Sequence, residues 1–433
     1  MELTKVKLSD VARVEISGVD KKSKPGQKSV RLCNFVDVYH NWAITQDLHD
    51  SFMEATASDK EIEALSIKKG QVAFTKDSET RDDIGIPTYI ADDFDDVVLG
   101  YHNALITPDE RKLNGKYLNA FMHSSYIQKY FENNASGSGQ RYTLSNDTVN
   151  SIPILLPSIK EQEKIGNLFS FIDRKIALNK KMNQKLETMA KRLYDYWFVQ
   201  FDFPDKNGYP YKTTGGPMIY NQILKREIPA GWEVRKFKDV LSKLSSGKRP
   251  KGGIDKSLKD GIPSLGAECI DDLGVFDFQK TPYLPHDFKS QVTTGIIEDK
   301  DIAVYKDGAY VGKTTMFQNE FPFKFSTVNE HVFLLHCQDD SFEEYLLFVL
   351  KQPEYFSIMQ NLGKAKAAQP GLNQDDLKNI LILWPSNSVM NSFSKCVKTL
   401  FGQLFSNAKE NKKLTALRDK LLPLLMNGQV VVG

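Results

Sequence analysis

The sequence predicts a mixed α/β protein: two tandem-repeated globular domains, each followed by a long helix, the two helices pairing as an antiparallel coiled coil. Three observations predict it. The chain repeats itself at a nearly constant offset. Each half opens with short β-branched runs broken by Gly, Pro and Asp. Each half then closes on a heptad seam.

The repeat is visible in three places. LSDVARVEISG from Leu8 is matched by FKDVLSKLSSG from Phe237, 229 residues later. QVAFTKDS (Gln71 to Ser78) is matched by DIAVYKDG (Asp301 to Gly308) at an offset of 230. From there the offset settles at 228: Leu144, Asp147, Ile152, Ile154, Pro157 and Ser158 fall on Leu372, Asp375, Ile380, Ile382, Pro385 and Ser386. Charge alternates with the same period. Residues 1–158 carry 18 Lys and Arg against 23 Asp and Glu, and residues 159–230 carry 13 against 8. Residues 231–386 carry 19 against 22, and residues 387–433 carry 7 against 2.

In chain order, residues 1–157 form the first globular domain, with strand runs at Val72–Phe74 and Val97–Leu99 and a helical stretch from Tyr117 to Phe131. Residues 158–200 form the first long helix. Ser158 and Glu161, just after Pro157, are spaced as a capping box, and no Gly or Pro interrupts from Asn167 to Phe203. Residues 201–230, rich in Gly, Pro and aromatics and without counterpart in the first half, read as a connecting loop. Residues 231–386 repeat the globular domain, with strand runs at Ile302–Tyr305 and Val332–Leu335 and a helical stretch from Phe342 to Gln352. Residues 387–433 repeat the long helix.

Both helices carry a seam stepping by 3 and 4 residues. The first is Phe169, Ile172, Ile176, Asn179, Asn183, Leu186, Ala190, Leu193 and Trp197. The second is Val397, Leu400, Leu404, Asn407, Asn411, Leu414, Arg418, Leu421 and Leu425. Two readings stand: each helix buries its seam against its own domain, or the helices pack on each other. An asparagine pair at the same central layers favours the second, because buried asparagines cost stability but fix register. Antiparallel packing sets Asn179 against Asn411 and Asn183 against Asn407.

Composition excludes several classes. A hydrophobic fraction of 41% with 26% charged residues is ordinary for a globular chain. Cys33, Cys269, Cys337 and Cys396 lie too far apart for a zinc or disulfide framework, which fits a reducing cytoplasm. No apolar run approaches the ~18 residues of a membrane helix, and the amino terminus lacks the apolar core of a signal peptide. A soluble cytoplasmic protein is expected.

No catalytic constellation emerges. Gly308-Ala-Tyr-Val-Gly312-Lys313-Thr314 has three residues between its glycines where a phosphate-cradling loop needs four, and reads as a turn after a strand. Glu298-Asp299-Lys300 has the spacing of a metal-nuclease pair, but such a site also needs a partner aspartate on a neighbouring strand, and the spacing alone is common by chance. His331 and His336, five apart, do not share a helical face, and neither HExxH nor GxGxxG occurs. No enzyme, no metal and no cofactor is expected.

Binding chemistry remains. Lys21, Lys22, Lys24, Lys28 and Arg31 crowd one segment ahead of Tyr39, His40, Asn41 and Trp42, and Ser246, Gly247, Lys248, Arg249 and Lys251 occupy the equivalent place in the second half. Ser136 to Tyr142, with Gln140 and Arg141, aligns with Lys364 to Gln369 as a polar segment before the helix. Arginine and amide side chains can pair with guanine and adenine edges, while lysine suits phosphate. The plain alternative is a solvated charged face, and the acidic net charge of both domains weighs against non-specific binding. With the turn residues Lys76, Lys306, Tyr310 and Lys313, the candidate DNA contacts are Lys22, Lys24, Arg31, Tyr39, Asn41, Gln140, Arg141, Lys248, Arg249, Lys364 and Gln369.

The residues LPSIKEQEKIGNLFSFIDRKI (Leu156 to Ile176), DIAVYKDGAYVGKT (Asp301 to Thr314), IPAGWEV (Ile228 to Val234) and LRDKLLPLLMNGQV (Leu417 to Val430) carry a resemblance. Over essentially its whole length the chain resembles the specificity subunit of type I restriction–modification enzymes. The second helix departs from the pattern: it begins WPSNSVMNSFSKC, without the Glu-Gln pair of the first. The resemblance implies two target recognition domains, each reading one half of a bipartite, asymmetric double-stranded DNA sequence. It implies helices that set the spacing and dock two methyltransferase (modification) subunits. Restriction subunits join through the methyltransferase complex, and methylation and cleavage belong to those partners. The competing readings are a two-domain coiled-coil scaffold for protein partners without DNA readout, and a metal nuclease using Glu298 and Lys300.

Overall fold

Val72–Thr75, buried at every position, is the central strand of the first half in the computed structural model. The structure describes residues 2–248, 250, 253–255, 257–339, 341–364 and 371–433; the candidates Arg249 and Gln369 lie outside them. Val72–Thr75 pairs antiparallel with Asn103–Pro108 and Pro87–Ile90, and the five-stranded sheet is completed by Ala12–Ile16 and the short parallel Ala43–Ile44. A second sheet sets Lys28–Cys33 between Met53–Ala57 and Val97–Leu99. Uniform burial of the central strands is why they read as continuous apolar runs instead of alternating ones.

The second half repeats this logic with fewer strands. Ile302–Tyr305 lies between Thr314–Met316 and Val332–Cys337, and Leu241–Ser246 extends the sheet. Each half is closed by an edge pair just before its long helix: Thr4–Lys7 with Pro153–Leu156, and Glu233–Lys236 with Leu381–Trp384. The helical stretch expected from Tyr117 to Phe131 is two helices, Gly115–Met122 and Ser125–Asn134. The Ser124 backbone is extended between them.

The chain folds as two compact units, residues 1–177 with 413–433, and residues 178–412. The long helices are Ile159–Tyr194 and Asn387–Met426. At the first helix start Ser158 Oγ accepts from Glu161 N–H at 3.3 Å, the hydroxyl half of the capping box. Gln162, the second residue of the Glu-Gln pair, is buried and ties the helix to its own unit. Its Oε1 accepts from Asn114 N–H (2.9 Å), and its Nε2 donates to the Lys112 and Pro157 carbonyls (3.0 Å each). The corresponding residue of the second helix is Met390, fully buried in an apolar cluster. The missing Glu-Gln pair therefore exchanges a hydrogen-bonded anchor for an apolar one. Gly166 is needed for close approach, since a Cβ there would stand 2.8 Å from the Tyr117 nitrogen.

Residues 201–230 are more than a connector. They contain the hairpin Met218–Asn221/Arg226–Pro229, and Phe201, Phe203 and Ile228 are buried in the core of the second unit beside Trp232. Tyr194, Trp197, Phe198, Tyr345, Phe348 and Phe393 fill the same core with ring-to-ring contacts. No helix among the described residues is long and apolar enough to cross a membrane.

Candidate nucleic-acid interface and helix seam

The candidates on the first unit divide by what their polar atoms touch. Lys22 and Lys24 are exposed on an irregular segment. Arg31, by contrast, lies on the strand Lys28–Cys33 and donates to the Phe52 and His49 carbonyls (3.2 and 3.5 Å). Tyr39 donates its hydroxyl to Asp83 (2.8 Å), and burial together with that carboxylate pushes its pKa up to about 12. Asn41 Nδ2 donates to the Asp37 carbonyl (2.8 Å) at the end of the helix Phe35–His40. Trp42 stacks on His123 (4.0 Å). These side chains are engaged by contacts within the unit.

The second cationic group of this unit is compact. Ser136–Ser138 and Arg141–Thr143 form a hairpin whose second strand pairs with Asp77–Ser78, which brings Arg141 to the end of the central strand. Gln140 is exposed in the turn. Lys76 Nζ donates to Thr143 Oγ1 (3.0 Å), and Arg141 Nη2 lies 3.0 Å from Asp77 Oδ2.

On the second unit Lys248 and Lys364 are exposed, and Tyr310 is 63% exposed on the turn after the strand Ile302–Tyr305. Lys313 lies 3.5 Å from Asp271, and the Lys306 ammonium sits over the Phe333 ring at 5.0 Å. Gly308–Tyr310 is a short helical turn, as expected of a loop following a strand. Sequence reasoning passed over Asp77 with His102 and Asp307 with His331. Their signal was available: each lies within one residue of the repeat offset from its counterpart.

The pair Glu298 and Lys300 does not assemble a nuclease site. Lys300 Nζ turns to Glu344 (2.8 Å). Glu298, Asp301 and His336 do bring potential ligand atoms within 4.8 Å of one another. The Lys243 ammonium already lies there, 3.1 Å from Glu298 and 2.9 Å from Asp301. Asp301, fully buried, also accepts from the Glu298 amide (2.8 Å), which describes a folding anchor.

The seam asparagines meet in the second unit. Asn179 Nδ2 donates to Asn411 Oδ1 (2.9 Å) and Glu410 Oε2 (2.7 Å). Asn407 Nδ2 donates to Asn183 Oδ1 (2.9 Å), while Asn183 Nδ2 donates to the Leu404 carbonyl (3.1 Å). Numbers rise along one helix as they fall along the other, so the packing is antiparallel. Leu404 is fully buried, and Leu186, Leu193 and Leu400 are partly buried against the same cluster. Leu414 is half-buried. In the first unit Phe169 is fully buried and Ile172 nearly so; Phe169 packs with Leu421, Leu422 and Leu425.

Each unit also grips the second helix. Arg418, the odd member of the seam, stands over the Trp42 ring at 5.2 Å in the first unit. Burial, then the Arg418 charge, pushes the neighbouring His123 down to about 3, leaving it neutral beneath Trp42. In the second unit Lys412 lies 4.6 Å from both Phe278 and Phe323 and donates to the Pro322 carbonyl (2.9 Å). Burial and the nearby Lys409 lower its pKa. Gly274, at φ +73°, sits against the asparagine layer, where a Cβ would stand 2.8 Å from Leu404.

A family model described as the type I restriction modification DNA specificity domain matches residues 2–188 and again residues 229–415. The chain is 27% identical over 329 residues to the type I restriction enzyme MjaIX specificity subunit of Methanocaldococcus jannaschii, covering 73% of this chain and 69% of that one. It is 27% identical over 412 residues to the type I restriction enzyme HindI specificity subunit of Haemophilus influenzae, covering 84% and 87%. In fold it is similar to the crystal structure of a type I restriction–modification S subunit from M. genitalium. The TM-score is 0.57 at 16% identity, covering 98% of this chain and 96% of that one.

Proposed function

Because the chain belongs to the type I restriction–modification DNA specificity family, as the DNA target-recognition subunit of such a system, we propose that each of its two units reads one half of a bipartite double-stranded target. The observation that carries this reading is the double family match, one over each half of the chain and each ending within a long helix. A specificity subunit is the non-catalytic component of its enzyme, so methylation and cleavage fall to partner subunits working in the cytoplasm.

The proposed contacts are the exposed set, Lys22, Lys24, Gln140 and Arg141 on the first unit and Lys248, Tyr310 and Lys364 on the second, with the half-buried Lys313 beside them. Arg31, Tyr39, Asn41, Lys76 and Lys306, whose side chains are engaged within their units, shape the segments that carry those contacts. The long helices set the spacing between half-sites and dock two methyltransferase subunits, through which restriction subunits join. Leu178, Met182, Met189 and Tyr196 support that docking role. Leu178, Met182 and Met189 are exposed apolar side chains at helical spacing on the first helix, with Tyr196 exposed on the turn just after it, and such a stripe on a surface suits a partner helix.

Replacing residues 1–150 with the corresponding domain of another specificity subunit tests the reading. Methylation mapping in a host carrying the hybrid is expected to show one half of the target changed and the other retained. Both halves changing together would overturn the independent-reader model. A hybrid-free complex that binds no specific duplex would favour the scaffold reading instead.

A further inference from the structure

The central strands of the two units end in the same three-way junction. In the first, Lys76 N–H donates to the His102 carbonyl (2.8 Å), and Leu144 N–H donates to the Lys76 carbonyl (3.0 Å). In the second, Lys306 N–H donates to the His331 carbonyl (3.0 Å), and Leu372 N–H to the Lys306 carbonyl (2.7 Å). The aspartate that follows each lysine closes the junction. Asp77 Oδ2 lies 2.5 Å from His102 Nδ1, and Asp307 Oδ2 lies 2.7 Å from His331 Nδ1. Asp77 also pairs as a strand residue with Thr143, and Asp307 bridges Gly371, the residue 228 positions after Thr143.

The cations around Asp77 give this junction its chemistry. Its side chain is only 13% exposed, and three cationic or protonatable groups face it: Arg141 at 3.0 Å, His102 at 2.5 Å and Lys76 at 4.0 Å. Burial pushes its pKa up, but hydrogen bonds from Thr143, His102 and Arg141 outweigh that and hold it below the usual carboxylate range. Arg141 itself is 60% exposed and uses Nη2 for its contacts with both Asp77 and His102. Its Nε and Nη1 take no partner among the described residues, so one corner of the fork is held while the rest faces solvent. A guanidinium fixed this way loses little freedom when it meets a guanine edge or a phosphate.

We propose that Asp77 is a positioning residue for DNA reading, which orients Arg141 toward the duplex. A carboxylate at a DNA-reading surface repels phosphate. It is useful there when the orientation it imposes gains more discrimination than its charge loses in affinity. The inference rests on the DNA-specificity reading above, which it deepens.

Asp77→Asn keeps the side-chain shape and one acceptor oxygen but removes the charge. In the complex with methyltransferase subunits, affinity is measured on the cognate duplex, on duplexes with one base changed in either half-site, and on unrelated duplex. The expected result is about a tenfold loss of discrimination in one half-site, full discrimination in the other, and unrelated-duplex affinity equal to or tighter than wild type. A purely architectural carboxylate would instead lower thermal stability and weaken cognate and unrelated binding alike, which overturns the proposal. So does unchanged discrimination.

Arg141→Gln supplies the second test. It should cost the same half-site discrimination, and combining it with Asp77→Asn should add nothing further; additive losses overturn the coupling. Should Asp77→Asn not fold, Arg141→Gln with full discrimination also overturns the proposal. Wild-type complex that fails to discriminate at all would refute the DNA-specificity reading itself, which is a separate outcome.

Discussion

Seven residues inserted after Ala177 and seven after Lys412 would lengthen both long helices where the two units divide. The insertion points leave each unit's own contacts intact. Phe169, Leu421 and Leu425 stay within residues 1–177 and 413–433, and the Asn179–Asn411 and Asn183–Asn407 bonds stay within residues 178–412. Seven residues make two turns to within about 20°, so seam residues on either side remain in phase. At 1.5 Å per residue the insertion adds about 10 Å, equivalent to about three base pairs at 3.4 Å per step. If the helices set the distance between readers, the spacer between half-sites should lengthen by up to about three base pairs, and the half-site sequences should not change. Methylation mapping by sequencing reads both at once, and modification at any site certifies that the variant assembles. Modified sites with the original spacing would show that the helices do not determine the distance.

Three further outcomes follow from the geometry. Asn183→Leu leaves the buried Asn407 amide donor without its partner, so it should cost about 1–3 kcal/mol; in a double-mutant cycle by chemical denaturation, Asn183→Leu with Asn407→Leu should cost less than the sum, and additivity would refute the layer. Glu343 is buried, and that burial, against the opposing Cys337 amide bond and the nearby His336 and Lys300, raises its pKa from 4.5 to about 7. A folded-state pKa above the unfolded one means stability is fully present below about 4.5 and is lost as pH rises through about 7, so Glu343→Gln should flatten that decline in melting temperature and stabilise the protein most at pH above 7. Lys248→Ala with Arg249→Ala should weaken cognate binding by roughly 1–3 kcal/mol while assembly with methyltransferase survives, and unchanged gel-shift affinity would return that segment to solvated surface.

Helix register was legible in the sequence because it is a one-dimensional property. Polar residues at matching positions of two apolar seams leave few ways to pair, and Asn179, Asn183, Asn407 and Asn411 meet accordingly. Strand runs were legible for the same reason, through β-branched stretches such as Ile302–Tyr305. What the sequence concealed were contacts that depend on where the chain returns. Nothing local to Trp42 announces that Arg418 will lie over it, and nothing local to Lys412 announces Phe278 and Phe323. The segment 201–230 misled through its Gly and Pro content, because its aromatics are anchored by a core drawn from both long helices. Among the cationic candidates, residue type could not separate Arg31, spent on the Phe52 carbonyl, from Arg141, held by one nitrogen.

The charge pattern gives that last distinction its weight. Residues 1–158 carry 18 basic against 23 acidic side chains, and residues 231–386 carry 19 against 22. Non-specific duplex binding comes from neutralised phosphates, each adding about 0.9 to the salt slope. On the proposed reading, two net-acidic domains would hold arbitrary DNA weakly and draw affinity from a few cations brought to the right place. The proposed contact of Arg141, oriented by a carboxylate that itself opposes phosphate, suits that regime. On this reading the acidic surface is part of the discrimination. Replacing acidic residues away from the reading segments with neutral ones should tighten unrelated-duplex binding more than cognate binding, and cognate binding that tightened equally would show the surface charge to be incidental.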